Sequence, residues 1–167
     1  MCGIFSILSN ILIAKDDSNY KKWYNNFLKG SKRGPENSVY KLLNDNLLFG
    51  FHRLAINGLD EISNQPLIMD GVVLICNGEI YNYKELYQMY NFKATTNSDC
   101  EIIIHLYNMF GIKETIKMLD GVFGLVLFDT RLNTVYIGRD PFGVRPVYML
   151  TDDDLFAFGS EVKVLNN

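Results

Sequence analysis

Cys2, in Met1-Cys2-Gly3-Ile4, has the greatest chemical potential in the chain, because removal of Met1 would leave one residue with both a thiol and a free α-amine. A thiol has a reference pKa of about 8.5 and an α-amine one of about 7.7 to 8.0, so the amine can take the thiol's proton without a histidine partner. N-terminal threonine nucleophiles are activated by their own amine in the same way. Cysteine is small enough for ordinary removal of the initiator methionine, so the sequence permits that processing. Taken alone, a cysteine at position two is better read as the first residue of a buried strand, and the rest of the chain has to decide.

Other reactive residue types are scarce. The cysteines number 3, with Cys76 and Cys100 far from Cys2 and from each other, which argues against a disulfide framework. With only His52 and His105 and no Cys-x-x-Cys, a zinc site has too few ligands. A Cys-His hydrolase would have to recruit one of those two histidines. His105, between Ile104 and Leu106 on a predicted helix, reads as a structural residue. No cofactor is expected in this chain.

The bulk properties are those of a globular chain. Its 167 residues, 48% hydrophobic and 21% charged, suit a single domain spanning 1–167. A net charge of −3 gives no basic footprint for nucleic acid. No apolar run approaches the roughly 18 residues of a membrane span, and the N-terminus lacks the pattern of a secretory signal. The expected compartment is the cytoplasm.

The elements that must position Cys2 follow from periodicity. Gly3 to Leu8 is an apolar run of strand length, which would hold Cys2 rigidly at its start. Asp16-Asp17-Ser18 opens a predicted helix whose Tyr20, Trp23, Tyr24, Phe27 and Leu28 recur at helical spacing, with Gly30 as the stop. That stripe is expected to pack on a sheet. Val39 to Leu43 and Leu47 to Phe51 flank Asn44-Asp45-Asn46 as a hairpin, and Val72 to Cys76 reads as a buried strand entered from Asp70-Gly71. Asn82-Tyr83-Lys84-Glu85 and Ser98-Asp99-Cys100-Glu101 have the spacing of capping boxes, so a helix is expected after each. Gly111 is expected to end the second, with a short helix on to Met118. Four strands follow, Gly121 to Asp129, Thr134 to Asp140, Val147 to Leu150 and Leu155 to Gly159. Strands grouped in blocks with helices between them predict an α+β domain of antiparallel sheets covered by helices.

Several short segments occur in a telling order: Cys2-Gly3-Ile4, Arg33-Gly34-Pro35, Phe51-His52-Arg53-Leu54-Ala55-Ile56, Asn64-Gln65-Pro66-Leu67, Asn77-Gly78-Glu79-Ile80-Tyr81-Asn82, Thr96-Asn97-Ser98-Asp99-Cys100-Glu101, Leu119-Asp120-Gly121-Val122-Phe123, Gly138 through Pro146, and Gly159-Ser160-Glu161. Together they resemble the glutamine-hydrolysing domain of the asparagine synthetases, among the class II glutamine amidotransferases. The resemblance spans nearly the whole chain. Phe51 to Ile56 and Gly138 to Pro146 resemble that branch more than the sugar- or purine-pathway amidotransferases.

The resemblance implies an N-terminal-nucleophile hydrolase fold, an αββα sandwich with two antiparallel sheets between helical layers. It implies that the Cys2 thiolate attacks the side-chain amide of glutamine, that ammonia leaves, and that water resolves a glutamyl thioester. By the same resemblance Asn77 and the backbone N–H of Gly78 meet the oxyanion, a task for which asparagine supplies N–H donors and glycine allows close approach. The alternative for a bare Asn-Gly pair is a hairpin turn. Arg53 suits the α-carboxylate of glutamine, because its planar fork binds a carboxylate through two parallel bonds. The resemblance gives Asp99, with Glu79, the α-ammonium, and places Leu54 and Ile56 along the substrate. Asp99 also suits the first turn of a helix. The family's aspartate after Gly-Pro is Glu36 here, and no catalytic role passes to it.

Asparagine synthetases add an ATP-using domain that activates aspartate. Residues 1–167 contain no Ser-Gly-Gly pyrophosphate loop and no Gly-x-x-x-x-Gly-Lys cradle. ATP and Mg²⁺ are therefore expected only in a synthetase domain or subunit that would receive the ammonia. Three alternatives stay open: a stand-alone glutaminase, a non-catalytic glutamine-binding sensor or assembly module, and an amidase for another amide.

Overall fold

The computed structural model describes residues 1–15 and 18–166, so the acidic pair expected to open the first helix, Asp16 and Asp17, lies outside the described residues. The chain divides into two compact units, one formed by residues 1–54 and 146–167 and the other by residues 55–145. Each is built on one antiparallel sheet.

In the first unit the strands are β1 (Gly3–Ser9), β2 (Asn37–Asn44), β3 (Leu47–Arg53) and two late strands, Tyr148–Thr151 and Leu155–Gly159. β1 occupies the middle, between β3 and the strand Leu155–Gly159, with β2 and Tyr148–Thr151 at the edges. The hairpin between β2 and β3 turns at Asp45 and Asn46, where the sequence places it. The helix α1 (Ser18–Leu28) buries Trp23 and Phe27 against Phe5, Ile7, Leu48, Val164 and Leu165. Burying a large apolar side chain contributes about 1.5–3 kcal/mol, so this aromatic seam secures the helix that helical propensity alone would not. The expected stripe is only partly inward: Tyr24 and Leu28 are exposed, and Tyr24 sets its ring edge-on to Tyr40 at 5.1 Å.

The second unit carries β4 (Leu67–Met69), β5 (Val72–Ile80), β6 (Gly121–Asp129) and β7 (Thr134–Arg139), paired in that order. The late strands of the first unit are accordingly β8 (Tyr148–Thr151) and β9 (Leu155–Gly159). Asp70 and Gly71, both at positive φ, make the tight turn between β4 and β5. Helices α2 (Tyr83–Tyr90) and α3 (Ile102–Met118) pack on Val72, Leu74, Cys76, Phe123, Leu125 and Leu127. Residues two apart share a strand face, so Val73, Ile75 and Asn77 lie on the other face of β5. α3 is interrupted at Gly111, whose φ of 74° and ψ of 169° are not helical. Glycine has no Cβ penalty there, and the stop expected at this residue is an interruption.

Two local expectations are corrected. β5 does not end at Cys76 but continues through Ile80, pairing Asn77 with Gly124 and Gly78 with Phe123. The Asn82 side chain caps no N–H of α2; its Nδ2 donates to the Met118 carbonyl and its Oδ1 accepts from the Asp120 N–H. Among the described residues no helix is long and apolar enough to cross a membrane.

Candidate active site

Cys2 immediately precedes the central strand of its sheet, and both its backbone and its sulfur are held. The Arg33 Nε donates to the Cys2 carbonyl at 2.8 Å. The Cys2 Sγ lies 3.3 Å from the Leu54 carbonyl and accepts from the Leu54 N–H at 3.4 Å. A backbone donor aimed at sulfur stabilises developing negative charge there. Two residues further on, the Ser160 hydroxyl accepts from the Ile4 N–H at 3.0 Å, and the Ser160 N–H donates to the Ile4 carbonyl at 3.0 Å. Cys2 is thus held by Arg33 and Leu54, and the strand it enters by Ser160, all distant in sequence.

Arg33 reaches Cys2 because the loop carrying it lies against the end of β3. Pro35 bridges Arg53, and the Glu36 N–H donates to the Arg53 carbonyl at 3.1 Å. Gly34 is required by this approach, since a Cβ would collide with the backbone of His52 and Arg53. Arg53, the last residue of β3, is buried to 8% exposure, and Leu54 is half-buried. Arg33 also faces Glu161 at 3.9 Å, bringing the Arg-Gly-Pro and Gly-Ser-Glu segments together.

His52 is committed elsewhere. Its ring stacks on Phe27 with centroids 3.9 Å apart, Nδ1 pairs with the Ser38 hydroxyl at 2.7 Å and Nε2 with the Phe27 carbonyl at 2.9 Å. Burial pushes its pKa below the ordinary value, against the upward pull of the Phe27 carbonyl. With the Nε2–H donating to Phe27, Nδ1 accepts from Ser38, and neither nitrogen is available as a base for the thiol. His105 bonds Glu101 at 3.1 Å and stacks on Phe92, a structural role as expected.

In the second unit Asn77, Gly78 and Glu79 occupy consecutive positions of β5, so the hairpin-turn alternative for Asn-Gly is excluded. Asn77 is 2% exposed, yet its Nδ2 has no hydrogen-bond partner among the described residues. Buried polar atoms are nearly always paired, and exceptions often mark functional groups. Gly78 admits no Cβ, which would strike the Val122 carbonyl and the Phe123 backbone. Gln65 steadies the strand just before Asn77, its amide donating to the Cys76 carbonyl at 3.0 Å and accepting from the Cys76 N–H at 2.5 Å.

Asp99 begins a 3₁₀ turn, Asp99–Glu101, that leads into α3. Its carboxylate accepts from the Ile80 N–H at 2.7 Å, tying it to the end of β5. Burial raises its pKa, Glu79 adds to the rise, and the Ile80 and Asn57 donors oppose it. Glu101 anchors the approach to Asp99: it is fully buried and accepts from the Thr95 N–H, the Thr96 N–H and hydroxyl, and His105. Ser98 caps the turn through the Cys100 N–H, while Glu101 reaches back to Thr95 and Thr96 and not to Ser98, so the expected capping box is only half formed. Ile56 is exposed at 56%.

The structure places Cys2, Arg53 and Leu54 in the first unit and Ile56, Asn77, Gly78, Glu79 and Asp99 in the second. Sequence reasoning missed the grip of Arg33 on Cys2 and the Gln65 clamp, although the quoted motifs contain both residues. Among the described residues no group of three or more His, Cys, Asp or Glu side chains is arranged to hold a metal ion.

Two antiparallel sheets, one with Cys2 at the head of its central strand and the other carrying the buried Asn77 beside the half-buried Gly78, make an α+β fold of the N-terminal-nucleophile hydrolase type. A family model described as a glutamine amidotransferase domain matches residues 1–167, and the chain belongs to that family. It is 42% identical over 172 residues to the asparagine synthetase [glutamine-hydrolyzing] of Rattus norvegicus and 41% identical over 172 residues to that of Homo sapiens, covering 99% of this chain and 29% of each relative. The Gallus gallus protein of the same name is 38% identical over the full chain and 30% of its own length. The chain thus spans under a third of the length of these relatives. A solved glutamine phosphoribosylpyrophosphate amidotransferase from B. subtilis shares the fold, with a TM-score of 0.79 and 20% identity over 98% of this chain and 43% of its own.

Proposed function

We propose that residues 1–167 form one glutaminase domain of an asparagine-synthetase-type amidotransferase, releasing glutamate and ammonia from glutamine. The observation that carries this is Asn77: a buried amide whose Nδ2–H donors have no acceptor, on a strand next to a glycine that must be glycine. Such a donor suits an oxygen that gains charge during reaction. The Cys2 thiol passes its proton to the α-amine exposed by loss of Met1, and the thiolate bonds to the glutamine amide carbon. The oxyanion is met by Asn77 and the Gly78 N–H. Collapse expels the amide nitrogen, which leaves as ammonia with the proton held by the amine. The amine then takes a proton from water, hydroxide opens the thioester, and glutamate and the thiol are restored.

Arg53 is assigned the α-carboxylate, Asp99 with Glu79 the α-ammonium, and Leu54 and Ile56 the flank of the substrate. This chemistry draws on no cofactor in this chain. The names of the relatives point to aspartate as the acceptor of ammonia, in a synthetase domain or partner that uses ATP and Mg²⁺. Three free thiols fit the cytoplasm.

The test is an intact mass of the purified protein followed by glutamate release on the same sample. Loss of Met1 with turnover that a Cys2→Ala variant lacks sustains the proposal. Homogeneous protein lacking Met1 that binds glutamine without releasing glutamate overturns it in favour of a glutamine sensor.

A further inference from the structure

One carboxylate organises the loop of residues 140–145. Asp140 follows directly on β7, is 2% exposed, and accepts from four backbone N–H groups. Its Oδ1 takes those of Phe142 at 3.1 Å and Val144 at 2.9 Å, and its Oδ2 those of Arg145 at 3.0 Å and Phe123 at 3.3 Å. Burial would raise its pKa, but these donors hold it below the ordinary carboxylate value. Phe123 belongs to β6, so three of the bonds close the loop and the fourth ties it to the sheet. Residues that bond across an antiparallel pair exchange N–H···O bonds in both directions. Here the Asp140 N–H donates to the Phe123 carbonyl at 2.8 Å, while the Asp140 carbonyl has turned to the Gly143 N–H at 3.0 Å. The carboxylate takes the Phe123 N–H in place of that carbonyl.

The consequence reaches Gly78. With the N–H and carbonyl of Phe123 both turned to Asp140, neither faces β5, and Gly78 opposite Phe123 forms a pair without hydrogen bonds. The Gly78 N–H therefore points away from β6. Cys76, two residues earlier and facing the same edge, gives both its backbone groups to Gln65. β4 pairs with β5 only over residues 72–74, so the Gly78 N–H is directed past the end of β4 and is not spent on the ladder. We propose that Asp140 is a positioning residue for the oxyanion donor Gly78, acting through Phe123, whose backbone it holds on the side of β6 away from β5. The inference rests on the glutaminase reading for the oxyanion and on the Asp140–Phe123 bonds for its geometry. Gly78 lies so close to the Phe123 backbone that a Cβ would strike it, so a displacement of Phe123 is passed to the Gly78 N–H. A donor of this kind acts where charge develops on the oxygen, and Asp140 is assigned no contact with glutamine, so its effect falls on the chemical step and not on binding.

The test compares the full chain, lacking Met1, with an Asp140→Asn variant, which keeps the side-chain volume and sets an amide N–H₂ against backbone donors in place of one acceptor oxygen. Glutamate release gives kcat, calorimetry in a Cys2→Ala background gives the affinity for glutamine, and ¹⁵N NMR follows the Gly78 and Phe123 amides. The expected result is kcat lowered by about tenfold or more, toward the roughly 10²-fold that a misplaced reacting group costs, with glutamine bound as before and both amide signals moved. An unchanged kcat, an unmoved Gly78 signal, or a loss of affinity as large as the loss of kcat overturns the proposal. If Asp140→Asn does not fold, Asp140→Glu, which keeps the anion and displaces it by one methylene, is read by the same three measurements. Moved Gly78 and Phe123 signals with no glutamate release by the parent protein sustain the Asp140–Gly78 coupling and overturn the glutaminase reading, so the two failures are distinct.

Discussion

The Arg33 guanidinium holds the Cys2 carbonyl at 2.8 Å, so the residue carrying the thiol is positioned by a loop 31 residues away in sequence. A misplacement of about 1 Å in a reacting group can cost about 10²-fold in rate. Arg33→Met is therefore expected to lower kcat for glutamate release by about 10²-fold, with a smaller change in KM because Arg33 is assigned no contact with glutamine. Steady-state kinetics on folded variant protein checks this; a KM effect with kcat unchanged would move Arg33 into substrate binding.

Asn77→Ala is expected to separate activity from stability. Its Nδ2 holds nothing in place, so unfolding in urea should change by no more than about 1.5 kcal/mol. Loss of one oxyanion donor should reduce kcat by about 10² to 10³. An equal loss of both properties would make Asn77 a structural residue.

Gly78→Ala should fail in the opposite way. The added Cβ meets the backbone of Val122 and Phe123 across the β5–β6 pairing, and backbone cannot swing aside like a long side chain. Overpacking of this kind costs about 1–3 kcal/mol, readable as a lower urea midpoint, with activity lost alongside.

Glu101 is expected to shape the acid limb of stability. Burial alone would raise its pKa, but bonds from His105, Thr96 and Thr95 hold it at about 2. A carboxylate depressed in the folded state stabilises above its unfolded pKa of about 4.3 and loses that contribution as pH falls toward the folded value. Urea unfolding followed from about pH 5 down to about pH 2, the span of the two pKa values, should show a decline that Glu101→Gln flattens. At pH near 7 the variant should be less stable by about 1–3 kcal/mol.

Much of the fold was legible because strand and turn signals are local. β6 and β9 match their expected spans, and the Asp45-Asn46 and Asp70-Gly71 turns fall where their residue types permit. The misread positions are those where a distant partner overrides a local preference. Asn82 has the spacing of a helix cap, but Met118 and Asp120 occupy its amide. β5 outruns its β-branched core because β6 pairs with it through Ile80, and Gln65 clamps it at Cys76. Of the site, Cys2, Arg53, Asn77, Gly78 and Asp99 could be named from motif order. What Arg33 does depended on a contact across 31 residues, which no pattern in one sequence encodes.

The central claim is that the Cys2 sulfur bonds to the glutamine carbonyl carbon. Protein lacking Met1 should be mixed with glutamine, quenched in acid within the first turnover, digested and mapped by mass. The account requires a glutamyl adduct on the N-terminal peptide at Cys2, absent from Cys2→Ala and enriched when Asn77 is intact. Steady glutamate release with an unmodified Cys2 peptide, or an adduct on Cys76 or Cys100, would contradict it.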